Sequence, residues 1–309
     1  MHKKTVTPTV HISQKGFDAF HASHAHKAQE LLSAWADFFG KNRLKMDDII
    51  SKMMLYNKKF AYKKELEATV KASNLAGVYS LNFNRYLGCT SAIKDSILYR
   101  TLDVTAPALG ETLHLVEKET PHGAYTNLTW PGFVGVATAV APNRFALAYN
   151  EAPQPNRWPL INIFNIIVSR NIPPLWLSRQ VMENCKNYDE AKKILTHTPL
   201  CTSAIYTLMG GEGEGCMIER TPTKSVVHTL NNAGYTVAGN HWQNDKFAGL
   251  VISSKKTSYE RCIFMEKFLR QEKPTNAKPF DWLEHPIAND TTRFACELSL
   301  SQPAKIRIL

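Results

Sequence analysis

Gly88-Cys-Thr-Ser-Ala-Ile-Lys-Asp-Ser-Ile-Leu-Tyr-Arg-Thr-Leu-Asp103 is the stretch that decides how this chain is read. It places a cysteine first, an arginine eleven residues later and an aspartate three beyond that. Upstream lie helix-like patterns and downstream lie strand-like ones. The reading is a cut between Gly88 and Cys89. Residues 1–88 then form a helical prosegment, the α-subunit after self-cleavage, and residues 89–309 form a catalytic β-subunit with Cys89 as its new amino terminus.

Charge follows the same boundary. Residues 1–88 carry 14 Lys/Arg against 7 Asp/Glu, and residues 89–309 carry 23 against 20, so most of the net +10 sits upstream. A basic segment suits an anionic membrane surface or, more blandly, solvated helix faces. Nucleic acid is not expected, because no arginine-rich run is interleaved with aromatics. The six cysteines form no Cys-x-x-Cys pair, which argues against a zinc knuckle or a redox motif. His21, His24 and His26 lack a carboxylate or cysteine beside them, so they read as surface histidines, and no metal or cofactor is expected. No apolar stretch follows the two early lysines, so no secretory signal is visible and a cytoplasmic location is expected.

Upstream of the cut, residues 27–39, 46–57 and 62–75 read as helices. Met46, Met53 and Met54 are assigned to core. Downstream, strand-like runs at 91–94, 97–102, 112–118, 124–130, 133–140 and 145–149 are separated by Pro, Gly and Asn turns. Residues 159–170 make a helix that is apolar nearly all round, so it is buried between layers or faces a lipid. Amphipathic helices at 174–184 and 188–197 follow, then strands at 203–209, 215–220, 224–230 and 235–238. A helix at 256–271 and two closing strands at 294–300 and 305–309 end the chain. The order predicts an α+β fold, with helices on both faces of two stacked antiparallel sheets.

A cysteine becomes a nucleophile when a neighbour takes its proton or steadies its thiolate. Two arrangements are open. In one, His241, in a polar loop after a strand, is the base for Cys89. In the other, Cys89 is amino-terminal and its own α-amine, of pKa ~7.7–8.0, is the base. Asp103 would then hold the amine and Arg100 the thiolate.

The wider pattern resembles the acid ceramidase and N-acylethanolamine-hydrolysing acid amidase family, choloylglycine hydrolase-like cysteine amino-terminal-nucleophile hydrolases. Cys89-Thr-Ser is similar to its nucleophile motif, and Arg100-Thr-Leu-Asp103 to its Arg-Asn-(Leu/Met)-Asp. Trp130-Pro-Gly-Phe-Val-Gly135, Asn150-Glu151 and Gly239-Asn240-His-Trp242 follow in the family's order.

The resemblance implies an αββα sandwich, self-cleavage before Cys89, and hydrolysis of linear amide bonds in N-acyl (fatty acyl) amides such as N-acylethanolamines or ceramide-like lipids. Cys89, Arg100, Asp103, Glu151 and Asn240 carry over as the catalytic set, with Asn240 donating to the oxyanion. Asn150 is either a second donor or a turn residue. The family's later Arg-Arg pair is replaced by Ser253-Ser-Lys-Lys256, so Lys255 or Arg261 stands in for it. Arg261 would do so as in the penicillin acyltransferase group, where Tyr-x-Arg follows Asn-His. That group also supplies the alternative activity, acyl transfer, with bile-acid or penicillin amide hydrolysis beside it. A non-enzymatic basic binding protein is the third reading. Expected partners are a small-molecule lipid amide, a peripheral membrane contact, and the two subunits as an α/β heterodimer.

Overall fold

The computed structural model describes residues 10–12, 17–58, 61–74, 76–83, 87–154, 158–248, 256–271 and 278–309. Lys255 lies outside the described residues. After the strand β1 (Val10–Ile12) come the helices α1 (Phe17–Ser23), α2 (Ala25–Phe39), α3 (Lys41–Tyr56), α4 (Lys63–Ser73) and α5 (Val78–Asn82). Six strands follow: β2 (Leu87–Lys94), β3 (Ile97–Val104), β4 (His114–Lys118), β5 (Tyr125–Thr129), β6 (Thr138–Ala141) and β7 (Phe145–Glu151). Then come α6 (Pro159–Val168), α7 (Pro174–Asn184) and α8 (Tyr188–His197), each beginning at a residue suited to a helix start. Pro159 and Pro174 stand in the first turn, where no N–H is needed. Asn187 caps α8 by accepting from the Glu190 N–H. The chain closes with β8 (Ala204–Met209), β9 (Gly215–Arg220), β10 (Ser225–Thr229), β11 (Tyr235–Ala238), α9 (Asp245–Ala248), α10 (Lys256–Arg270), β12 (Thr292–Leu298) and β13 (Lys305–Ile308).

The strands form two sheets, ordered β1-β4-β5-β6-β7-β8-β9-β10 and β11-β2-β3-β12-β13. Among the described strands the pairings are antiparallel except β1 with β4, which is parallel. The α+β sandwich expected from the order of elements is therefore present, with one strand added by the amino-terminal segment.

The hairpin β2–β3 sets the geometry of the site. Its two-residue turn, Asp95-Ser96, has both residues at positive φ, 51° and 56°, which matches the strand twist and fixes the register. Cys89 then pairs with Leu102, Ser91 with Arg100 and Gly88 with Asp103. Side chains alternate along a strand. Cys89, Ile93, Leu98 and Leu102 accordingly enter the core between the sheets, whereas Ala92 and Tyr99 pack with Cys262 and Met265 of α10 on the outer face. Arg100 shares the inner parity and Asp103 the outer one.

Helices α1–α5 do not form a core of their own. Phe20, Leu31, Trp35, Leu44 and Leu81 are buried in the same cluster as Cys89, Leu102 and Trp130. Leu32, Met54, Leu66 and Val78 are buried with Val134, Ile166 and Trp176. Buried polar contacts tie the same halves. Arg179 of α7, 1% exposed, holds both oxygens of Glu65 at 2.9 and 2.7 Å and reaches Glu183 at 2.9 Å. Asn82 bonds the Gly132 carbonyl and the Val134 N–H, both at 2.7 Å.

Two expectations about apolar helices change. Of the α3 methionines only Met54 is core; Met46 is 57% exposed and Met53 50%. Helix α6 is not buried between layers, for Leu160 is 78% exposed and Phe164 63%. The helices join side by side, because Lys58, just after α3, donates to the carbonyls of Ile166 and Ser169 at the end of α6. Two apolar stripes therefore face outward together.

Candidate active site

Cys89 is fully buried in the middle of β2, and the strand runs through Gly88 without a break. A side chain at 88 would be crowded, since a Cβ there would stand 3.0 Å from the Asp103 Cβ, which would have to give way. Strand alternation divides the surroundings of Cys89 into two groups of residues.

The first group meets the thiol, between the sheets. Arg100, itself fully buried, donates from Nη2 to Cys89 Sγ at 3.0 Å and to the Tyr149 carbonyl at 2.6 Å. Its Nη1 donates to Asn150 Oδ1, which also accepts from Ser91 Oγ at 3.2 Å. Burial pushes the Cys89 thiol up; Arg100 opposes this, Asp103 reinforces it and Arg261 opposes it again. A fixed guanidinium at hydrogen-bond distance is what a thiolate in this dry site requires.

The second group meets the backbone of Cys89. The Cys89 N–H donates to Asn240 Oδ1 at 2.7 Å. Arg261 of α10 donates to the Cys89 carbonyl at 3.1 Å, to Asn240 Oδ1 at 2.9 Å and to Thr90 Oγ1 at 2.8 Å. Its Nε lies 3.6 Å from Asp103 Oδ2. Asp103 Oδ1 accepts from Thr292 at 2.9 Å. Burial pushes the Asp103 carboxyl up, against the pull of Arg261, Thr292, Arg100 and Asn289.

The structure thus brings Cys89, Arg100, Asp103, Asn240 and Arg261 together, with Asp103 and Arg100 on opposite faces of one strand. Glu151, at the end of β7, contributes its backbone carbonyl, which accepts from Asn240 Nδ2 at 2.9 Å. Asn150 sits inside β7, not in a turn. Both its amide protons go to carbonyls, of Ala238 at 3.1 Å and Gly239 at 3.0 Å, so neither is aimed at Cys89. His241 is engaged elsewhere. Its Nδ1 lies 2.8 Å from Ser258 Oγ and its ring stacks on Tyr259 at 3.8 Å. Burial holds the imidazole down at about 4, with Glu219 raising it and Arg261 lowering it. The histidine-base arrangement therefore finds no support in the geometry.

Sequence reasoning missed Ser91, Thr90, Ser258 and Thr292. Two signals were available. Ser91 shares the strand parity of Cys89, and Ser258 stands three residues before Arg261 on a helix, hence on one face.

A narrow cleft opens beside the site, lined by Asn82 and Phe83 from upstream of the junction and by Tyr149, Glu151, Ile166 and Leu175 from downstream. Among the described residues no group of three or more His, Cys, Asp or Glu is placed to hold a metal ion.

Comparison with known proteins adds three findings. A family model described as acyl-coenzyme A:6-aminopenicillanic acid acyl-transferase matches residues 91–285. The acid ceramidase of Heterocephalus glaber is 27% identical over 241 residues, 75% of this chain and 58% of that protein. That of Macaca fascicularis is 29% identical over 185 residues, 56% of this chain and 45% of that one. The chain therefore spans about half the length of these curated relatives. Among solved structures, the Caenorhabditis elegans N-acylethanolamine-hydrolyzing acid amidase ortholog superposes with a TM-score of 0.55 at 22% identity. That match covers 70% of this chain and 94% of the other, a likeness of fold.

Proposed function

Because the chain belongs to the acyl-coenzyme A:6-aminopenicillanic acid acyl-transferase family, among the acid ceramidase-like amino-terminal-nucleophile hydrolases, we propose that it is a self-processing cysteine amidase. The observation that carries this is the double grip on Cys89. A buried guanidinium bonds the thiol, while Asn240 bonds the backbone nitrogen that a cut would free.

Self-processing begins with attack of Cys89 Sγ on the Gly88 carbonyl carbon. The Gly88–Cys89 amide is exchanged for a thioester, and water hydrolyses it to a Gly88 carboxylate and a free α-amine. That amine, of reference pKa ~7.7–8.0, belongs to the same residue as the thiol and takes the thiol proton in the second reaction. The thiolate, steadied by Arg100, attacks the acyl carbon of the substrate. Asn240 Nδ2, released from the Glu151 carbonyl, donates to the oxyanion, a contribution worth about 3–4 kcal/mol in comparable sites. The ammonium returns its proton to the leaving amine, and water hydrolyses the acyl-cysteine thioester. Asp103 and Arg261 hold the α-amine and the Cys89 backbone throughout.

An N-acyl amide with a fatty chain is the proposed substrate class, drawn from a membrane surface. The exposed apolar side chains of α3 and α6, Met46, Met53, Leu160 and Phe164, support this, and α6 also lines the cleft through Ile166. The basic excess of residues 1–88 suits an anionic surface. Among the described residues no helix is long and apolar enough to cross a membrane. Residues 1–88 carry no cysteine, so after the cut the α/β pair is held by packing, the Arg179–Glu65 contact and Asn82. A second reading, transfer of the acyl group to an amine, is favoured by the description of the matching family.

The test is incubation of purified protein and of Cys89→Ala across pH 4–8. The expected result is a fragment beginning at Cys89 in the first only, with turnover of N-acyl amides. An uncut, inactive chain at every pH refutes the proposal. Competing amines separate hydrolysis from transfer by the products formed.

A further inference from the structure

The first two turns of α10 grip Asn240 at both ends. Ser258 and Arg261, spaced three apart, lie on one face of the helix. The Asn240 backbone N–H donates to Ser258 Oγ at 2.7 Å, while Arg261 Nη2 donates to Asn240 Oδ1 at 2.9 Å. Ser258 is fully buried. The approach is close enough that a Cβ at residue 239, the glycine before Asn240, would lie 2.5 Å from Ser258 Oγ and 2.9 Å from Cys262 Sγ. The hydroxyl also meets His241 Nδ1 at 2.8 Å, and the His241 ring rests on Tyr259. A serine oxygen that accepts from Asn240 has its own proton left to give. Given to Nδ1, it makes the neutral imidazole an Nε2–H tautomer.

We propose that Ser258, locked by His241, is a positioning residue that fixes the backbone of Asn240 so that its carboxamide stays aimed at the reacting carbonyl. The physical argument is one of lever arms. Once Nδ2 leaves the Glu151 carbonyl for the oxyanion, Arg261 and the Cys89 N–H hold the carboxamide by its oxygen alone, about which it can pivot. A second anchor on the backbone N–H removes that pivot. Misplacing a catalytic group by ~1 Å typically costs about 100-fold in rate. The assignment of Asn240 as oxyanion donor rests on the proposed function; the anchoring itself does not.

The experiment pairs turnover with spectroscopy. Ser258→Ala deletes one oxygen, and thermal unfolding checks that it folds. It is expected to lower kcat by about 10- to 100-fold with KM within about twofold, because the group it steadies acts in the transition state. In the uncut Cys89→Ala chain at pH 7, nitrogen NMR is expected to show His241 as the Nε2–H tautomer. Adding Ser258→Ala there is expected to shift both the backbone and the side-chain amide signals of Asn240. Wild-type kcat in Ser258→Ala overturns the proposal. So does a His241 Nδ1–H tautomer, or Asn240 signals that do not move. A protein that turns over no N-acyl amide sinks the proposed function alone, and the NMR results then decide the anchoring.

Discussion

Glu65→Gln is expected to destabilise the whole chain, not merely its amino-terminal helices. Glu65 is the bidentate partner of Arg179, whose side chain is 2% exposed. Around them, Glu183 accepts from Arg179, Lys118 and Tyr62, so two cations face two anions, with Arg179 buried and the other three partly buried. Burial works against Glu183, yet Arg179 and Lys118 hold its carboxyl below the usual range. Glutamine keeps the shape and one acceptor but leaves the cluster with one uncompensated positive charge. Breaking such a pair costs about 3–5 kcal/mol. The low end applies, because Arg179 keeps Glu183 at 2.9 Å and the Val134 carbonyl at 2.8 Å. At ~2.1 cal/mol/K per residue, the unfolding entropy of 309 residues is roughly 0.65 kcal/mol/K. A loss of ~3 kcal/mol then lowers Tm by about 5 °C. Scanning calorimetry on the uncut Cys89→Ala chain measures this without interference from processing. A Tm within about 1 °C of the parent would refute the idea that the cluster anchors one part of the fold to the other.

Asn240→Ala should reduce kcat for amide turnover by ~10²–10³ with little change in KM, read from steady-state kinetics. Asp103→Asn should trade function for stability. Burial holds the Asp103 carboxyl above its ordinary value, so the folded chain binds this proton more readily than the unfolded one. The resulting cost is absent below the unfolded value of ~3.9 and grows as pH rises through the folded one. Asp103→Asn should therefore raise Tm at pH 7, with the gain fading towards pH 4; a gain that grows on acidification would contradict this sign. Phe164→Glu, at an exposed site, should weaken cosedimentation with anionic vesicles about tenfold or more while leaving Tm within about 1 °C.

Much of the site was legible because strands count in twos. The Asp95-Ser96 turn sets the register, and parity then places Arg100 on the thiol side of Cys89 and Asp103 on the backbone side. Helical spacing would likewise have placed the missed Ser258 on the face of Arg261. What could not be read were distances between elements remote in sequence. Asn150 bonds Ala238 and Gly239, almost ninety residues away, and no local pattern announces that. Apolar periodicity also misplaced Met46 and Met53 on α3, and on α6 it left burial and exposure equally open. It marks a stripe on each helix but not whether protein or something else covers that stripe.

Asn150 stands on one sheet and bonds three strands of the other: Arg100 on β3 and Ser91 on β2 through its oxygen, and Ala238 at the end of β11 through its nitrogen. Its mutational options are correspondingly few. Aspartate has no protons for the two carbonyls and would put a second negative group beside the thiol. Glutamine has the right atoms but one methylene too many for a packed interior, and leucine satisfies none of the four contacts. No single amino-acid change reproduces two acceptances and two donations at that length. Position 150 has almost nowhere to go without re-spacing the two sheets.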